Sequence, residues 1–70
     1  MKLVNEVKTT VVFSETYEGT KGKACITKNL GVHDMIDHFE VSVLVNGKYK
    51  CLAKRARYEK AIAMAKDAID

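Results

Sequence analysis

Apolar and polar positions alternate one by one along much of this chain, and the period lengthens to that of a helix only after Arg57. Residues 3–14 are rich in Val and Thr, which suits a pleated strand; Val7, Thr9, Val11 and Phe13 share one parity, and Glu6, Lys8 and Thr10 the other. Residues 16–22 read as a turn or loop, with Gly19 and Gly22 to supply positive φ. Residues 23–28 read as a short second strand, with Ala24 and Ile26 inward and Lys23, Cys25 and Thr27 outward. Residues 29–38 are loop-like, with room for one helical turn.

The strongest alternation begins at Phe39. Phe39, Val41, Val43 and Val45 interleave with Glu40, Ser42 and Leu44, which describes a half-buried strand, and Asn46-Gly47 follows as a hairpin signal. The returning strand sets Lys48, Lys50, Leu52 and Lys54 against Tyr49, Cys51 and Ala53. A two-residue loop of Asn46-Gly47 would pair Val45 with Lys48 and Val43 with Lys50, and burying the valine face would then bury ammonium groups. A three-residue loop avoids this. It sets Val43 opposite Tyr49 and Val41 opposite Cys51, with Lys48, Lys50 and Lys54 outward beside Ser42 and Leu44. The parity therefore predicts the three-residue loop, with Val41, Val43, Tyr49 and Cys51 buried together.

From Tyr58 onward the spacing is helical: Tyr58, Ala61, Ile62, Ala65, Ala68 and Ile69 form one apolar stripe, and Glu59, Lys60, Lys66 and Asp67 take the other side. Alanines support so short a helix, Ile62 and Ala65 are its expected buried contacts, and no Ser, Thr, Asp or Asn caps its start near Ala56. A lone hairpin is marginal in water, so the helix is expected to cover the valine face. The fold class is α+β: a single domain over residues 1–70, an antiparallel sheet of three or four strands, and one C-terminal α-helix packed on one face.

Composition narrows the chemistry. Seventy residues bury only a small core, and an apolar share of 47% is that of a folded chain. Cys25 and Cys51 are too few for a disulfide framework, no apolar run is long enough for a signal peptide or a membrane span, and a cytoplasmic protein with reduced thiols is expected. Their opposite parities argue against a bridge between them. His33, Asp34, Asp37 and His38 are the one cluster of potential ligands, but the spacing matches no zinc template, and a solvated loop is the expectation. The four glycines match no phosphate-binding loop. Neither catalytic, metal nor cofactor motifs are present, and a non-enzyme is predicted.

Charge changes the picture more. Residues 1–20 sum to −1, residues 21–40 to 0 and residues 58–70 to −1, whereas residues 41–57 hold Lys48, Lys50, Lys54, Arg55 and Arg57 with no acid, giving +5. All the excess of the +3 chain lies in that segment. The sequence thus predicts a small nucleic-acid-binding module, with duplex DNA or RNA as partner and these five cations as contacts. Lysines that merely keep a sheet edge from pairing are the plainer alternative. The rival is a protein-binding accessory or inhibitor protein of phage or plasmid type, whose partner is another protein or itself as a homodimer, with Leu44 and Leu52 outward as its interface.

Strand, Asn46-Gly47-Lys48, strand, basic link, then Glu59-Lys60-Ala61 opening an Ala-rich helix resembles AP2-type and integrase arm-binding domains over residues 39–69. That resemblance implies a three-stranded sheet on one helix, with the outer sheet face in the DNA major groove. The chain departs from it in holding Cys51, Leu52 and Ala53 where aromatic and Gly residues are usual. The ending is also similar to that of double-stranded-RNA-binding domains, without their N-terminal helix or Lys-Lys run.

Overall fold

The computed structural model describes residues 1–29 and 39–70, and within them the chain reverses wherever a short segment satisfies its own polar groups. Strand β1 (Lys2–Lys8) returns as β2 (Val12–Glu18) through Thr9, whose Oγ1 accepts the N–H groups of Val11 at 3.2 Å and Val12 at 3.0 Å. The Thr9 N–H donates to the Val12 carbonyl at 2.9 Å. The hydroxyl thus does what a turn glycine or asparagine does elsewhere. Strand β2 reverses into β3 (Gly22–Asn29) through a turn closed by the Gly19 N–H on the Gly22 carbonyl at 2.9 Å. Strands β4 (Phe39–Val45) and β5 (Lys48–Ala56) are joined by Asn46 and Gly47, with φ of 56° and 77°.

Together these form one five-stranded antiparallel sheet whose strand order is the chain order. The α+β class is as expected, but the sheet has five strands rather than three or four. Residues 3–14, read as one strand, contribute to two, and Thr16, Tyr17 and Glu18, read as loop, complete β2.

The hairpin also differs from expectation. Val45 pairs with Lys48, Leu44 with Tyr49, Val43 with Lys50 and Ser42 with Cys51, so the loop has two residues. Positive φ at both loop residues makes a type I′ turn, whose twist matches that of the flanking strands. The anticipated burial of ammonium groups does not arise, for two reasons. Strand β5 is the sheet edge, and helix α1 (Tyr58–Ile69) lies mainly over β3 and β4, which leaves Lys48 and Lys50 in water. The alternation is also broken by bulges: Val41 pairs with Ala53, leaving Leu52 over, and Phe39 pairs with Ala56. Alanines therefore reach the core where unbroken alternation would have put Lys54.

Ala24, Ile26, Val41, Val43 and Ala56 from the sheet pack against Ala61, Ala65 and Ile69 of α1. Alanines supply four of these eight core residues, and Ile26, Ile69 and Val41 are the largest fully buried side chains. Each stabilises the fold by about 1.5–3 kcal/mol. The helix follows the expected stripe but centres it on Ala61, Ala65 and Ile69; Ile62 is half-buried rather than fully so. Its start has no side-chain cap, and its end is held by the Lys21 N–H on the Ile69 carbonyl at 2.7 Å. A Cβ at Gly19 would collide with that carbonyl, which explains the glycine. Strand β1 lies at the other edge, exposed along its whole length. No helix among the described residues is long and apolar enough to cross a membrane.

Candidate nucleic-acid interface

Register decides which face each cation of β5 occupies, because opposed residues of an antiparallel pair point the same way. Lys48 and Lys50 oppose Val45 and Val43, and Val43 is buried under the helix, so both lysines lie on the helix side at its open margin. The expectation that they stand on the outer face is corrected by the two-residue turn. Tyr49 and Cys51 oppose Leu44 and Ser42 on the outer face. Between the inward pairs Val41–Ala53 and Phe39–Ala56, Lys54 and Arg55 both face Glu40, which returns them to the outer face. Arg57 follows as the extended residue that precedes α1, with φ −69° and ψ 153°.

All five cations are exposed. Among the described residues the ion pairs are Met1–Asp70 at 2.7 Å, Lys8–Glu6 at 3.5 Å and Lys23–Glu18 at 4.0 Å, so none uses a cation of this segment. The charges follow an edge strand about 26 Å long, taking about 3.3 Å per residue. They line an edge, with both faces represented, rather than pave one face.

Tyr49, placed inward by the expected three-residue loop, lies on the outer face across the two-residue turn. It is 75% exposed, the most open large hydrophobic side chain of the described residues. Cys51, also expected inward, lies in the outer row Thr16–Cys25–Ser42–Cys51, and both thiols are unbridged. Leu44 and Leu52, expected outward and exposed, are half-buried, and Leu52 packs against the core because the two-residue turn puts its parity, that of Lys48 and Lys50, on the helix side. Exposed aliphatic surface gathers instead at Leu3, Val4, Val7, Val11 and Val12 of the first hairpin. The His33, Asp34, Asp37 and His38 cluster lies outside the described residues. Among the described residues, no group of three or more His, Cys, Asp or Glu could hold a metal.

A second polar group sits inside the fold. Glu15, only 6% exposed, accepts hydrogen bonds at Oε1 from the hydroxyls of Tyr17 (3.0 Å) and Tyr58. Phe13, Phe39 and Tyr58 meet edge to face around it, with centroids 5.3–6.1 Å apart, and the Lys28 ammonium stands 5.3 Å from the Phe39 ring centre. Desolvation, then donation to Glu15, pushes the Tyr58 hydroxyl well above the usual tyrosine range; desolvation also raises Tyr17. Two half-buried phenols donating to the one buried side chain of Glu15 clasp α1 to β2.

Comparison with known proteins finds no family model, no curated relative and no solved structure that matches the chain.

Proposed function

We propose that the protein binds nucleic acid along β5 and the start of α1, through Lys48, Lys50, Lys54, Arg55 and Arg57. The observation that carries this reading is the row of five exposed cations, four on the edge strand β5 and Arg57 just after it, without an ion pair among the described residues and without an acid between residues 41 and 57. A polyanion laid along that edge meets these five cations between residues 48 and 57. At the end of the row, the first N–H groups of α1, left uncapped by any side chain, add a partial positive charge. The AP2-type resemblance supports the same class of ligand by a different route, since it implies contact through the sheet face.

The test is a titration of labelled single-stranded and duplex oligonucleotides over a salt series. Five neutralised phosphates give a log–log slope of about −4 to −5 on a duplex. Lys50→Ala should weaken binding to every sequence alike and reduce the slope by about 1. Absence of binding to either probe at low salt, where attraction is strongest, would overturn the reading.

One observation favours a second reading, protein capture. Leu3, Val4, Val7, Val11 and Val12 make the first hairpin the principal exposed aliphatic surface of the described residues, and β1 has an open edge. Val7→Lys would then abolish partner or self association and leave oligonucleotide binding unchanged.

A further inference from the structure

We infer that Tyr49 is a stacking platform for an unpaired base, so that the ligand class is single-stranded or looped nucleic acid rather than regular duplex; this rests on the nucleic-acid reading above. Pairing with Leu44 accounts for an aromatic residue in this strand but leaves three quarters of the side chain in water. Large aromatic rings normally contribute by burial, and one so open between Lys48 and Lys50, at the first end of the cationic row, has a face available to a flat apolar partner. Leu44, half-buried on the neighbouring strand, gives the ring an apolar support on its own side.

The charges stand where a strand stacked on that ring needs them. Lys48 and Lys50 flank Tyr49 in sequence and lie on the helix side of the edge strand, while Lys54 and Arg55 continue along β5 on the face of Tyr49 itself. A strand with a base on the ring and its backbone laid along β5 follows the same edge as these ammonium and guanidinium groups. In a paired duplex the bases are stacked on one another and shielded by both backbones, so only the cations would be engaged and the ring would go unused. Stacking on an aromatic side chain together with an electrostatic track is the usual design for unpaired strands.

The test compares an oligothymidine of about twelve nucleotides with a hairpin duplex of equal charge at one fixed salt concentration, for the wild-type chain, Tyr49→Ala, Tyr49→Phe and Lys50→Gln. Circular dichroism confirms that each variant is folded. The wild type should prefer the unpaired strand. Tyr49→Ala should weaken that binding about 5- to 150-fold while leaving duplex binding and the salt slope unchanged. Tyr49→Phe should retain the preference, and Lys50→Gln should weaken both ligands. Tyrosine emission should fall on saturation with oligothymidine in the wild type and not in Tyr49→Ala. If both ligands bind and Tyr49→Ala leaves unpaired-strand affinity within about twofold, the stacking inference is overturned and the binding reading stands. If neither ligand binds, both fall.

Discussion

The hydroxyl of Tyr58, in the first turn of α1, donates to Glu15 Oε1 in the middle of β2, although the two residues are 43 positions apart. That bond crosses from helix to sheet beyond the apolar seam and fixes where the helix begins. A buried carboxylate with one of its donors removed retains its desolvation penalty, so Tyr58→Phe should cost about 1.5–3 kcal/mol in chemical denaturation. Glu15→Leu, which removes the charge as well, should cost less than the two separate losses suggest, because both phenols are near enough to bond each other at 3.4 Å. A double-mutant cycle that gives no coupling between positions 15 and 58 would contradict this account.

The same clasp sets an alkaline limit. Tyr58 and Tyr17 have pKa values raised in the folded chain above the ordinary 10.0. A group raised on folding contributes its full stability below the unfolded value and loses it as pH climbs through the folded one. Stability should therefore decline once pH passes about 10, where unfolded tyrosines ionise and folded ones do not. Tyr58→Phe should decline less steeply from pH 9 to 11 than the wild type. Parallel curves would show that the phenols are not responsible.

At the second hairpin, a Cβ on Gly47 would meet nothing within 4 Å, so the penalty for a side chain there comes from positive φ alone. Gly47→Val should cost about 1–2 kcal/mol, and Asn46→Gly, which keeps the left-handed conformation accessible, less than about 0.5 kcal/mol. Equal losses at the two positions would rule out a type I′ turn.

In the core, Ile69 is fully buried and Ile62 is not. Ile69→Ala should cost about 2–5 kcal/mol and Ile62→Ala clearly less. The reverse ranking would mean that the helix is rotated by a residue from the orientation described.

Strands β3 and β4 and the helix are legible in the sequence because one face of each is buried without interruption, and burial imposes a regular period on Ala24, Ile26, Val41, Val43, Ala61, Ala65 and Ile69. Strand β1 and the start of β2 were merged because their turn is made by a threonine hydroxyl, and threonine is also a good strand residue. The face of Lys48 to Cys51 is set by the two-residue turn, which parity disfavours only if β5 is covered. Strand β5 is the sheet edge, so its helix-side lysines stay in water, and the bulges beyond Cys51, which no composition marks, return Lys54 to the outer face. The five cations were visible as charge, but the exposure of Tyr49 follows from register alone. Glu15 was hidden for another reason: its burial depends on tyrosines 2 and 43 residues away, a contact that no local pattern records.

The strand order that matches the chain order has a kinetic consequence. Every pairing in this sheet joins consecutive strands, so no step of assembly must close a loop around another element. Three of the four pairings need only a tight turn, and the remaining one, β3 with β4, must first close the nine residues that separate Asn29 from Phe39. Low sequence separation between partners favours fast folding for a sheet of this size. The slowest closure is also the one that unites the two strands on which α1 mainly rests. Until those two strands meet, the helix has no surface to settle on, and so the apolar seam should form in one late, concerted step.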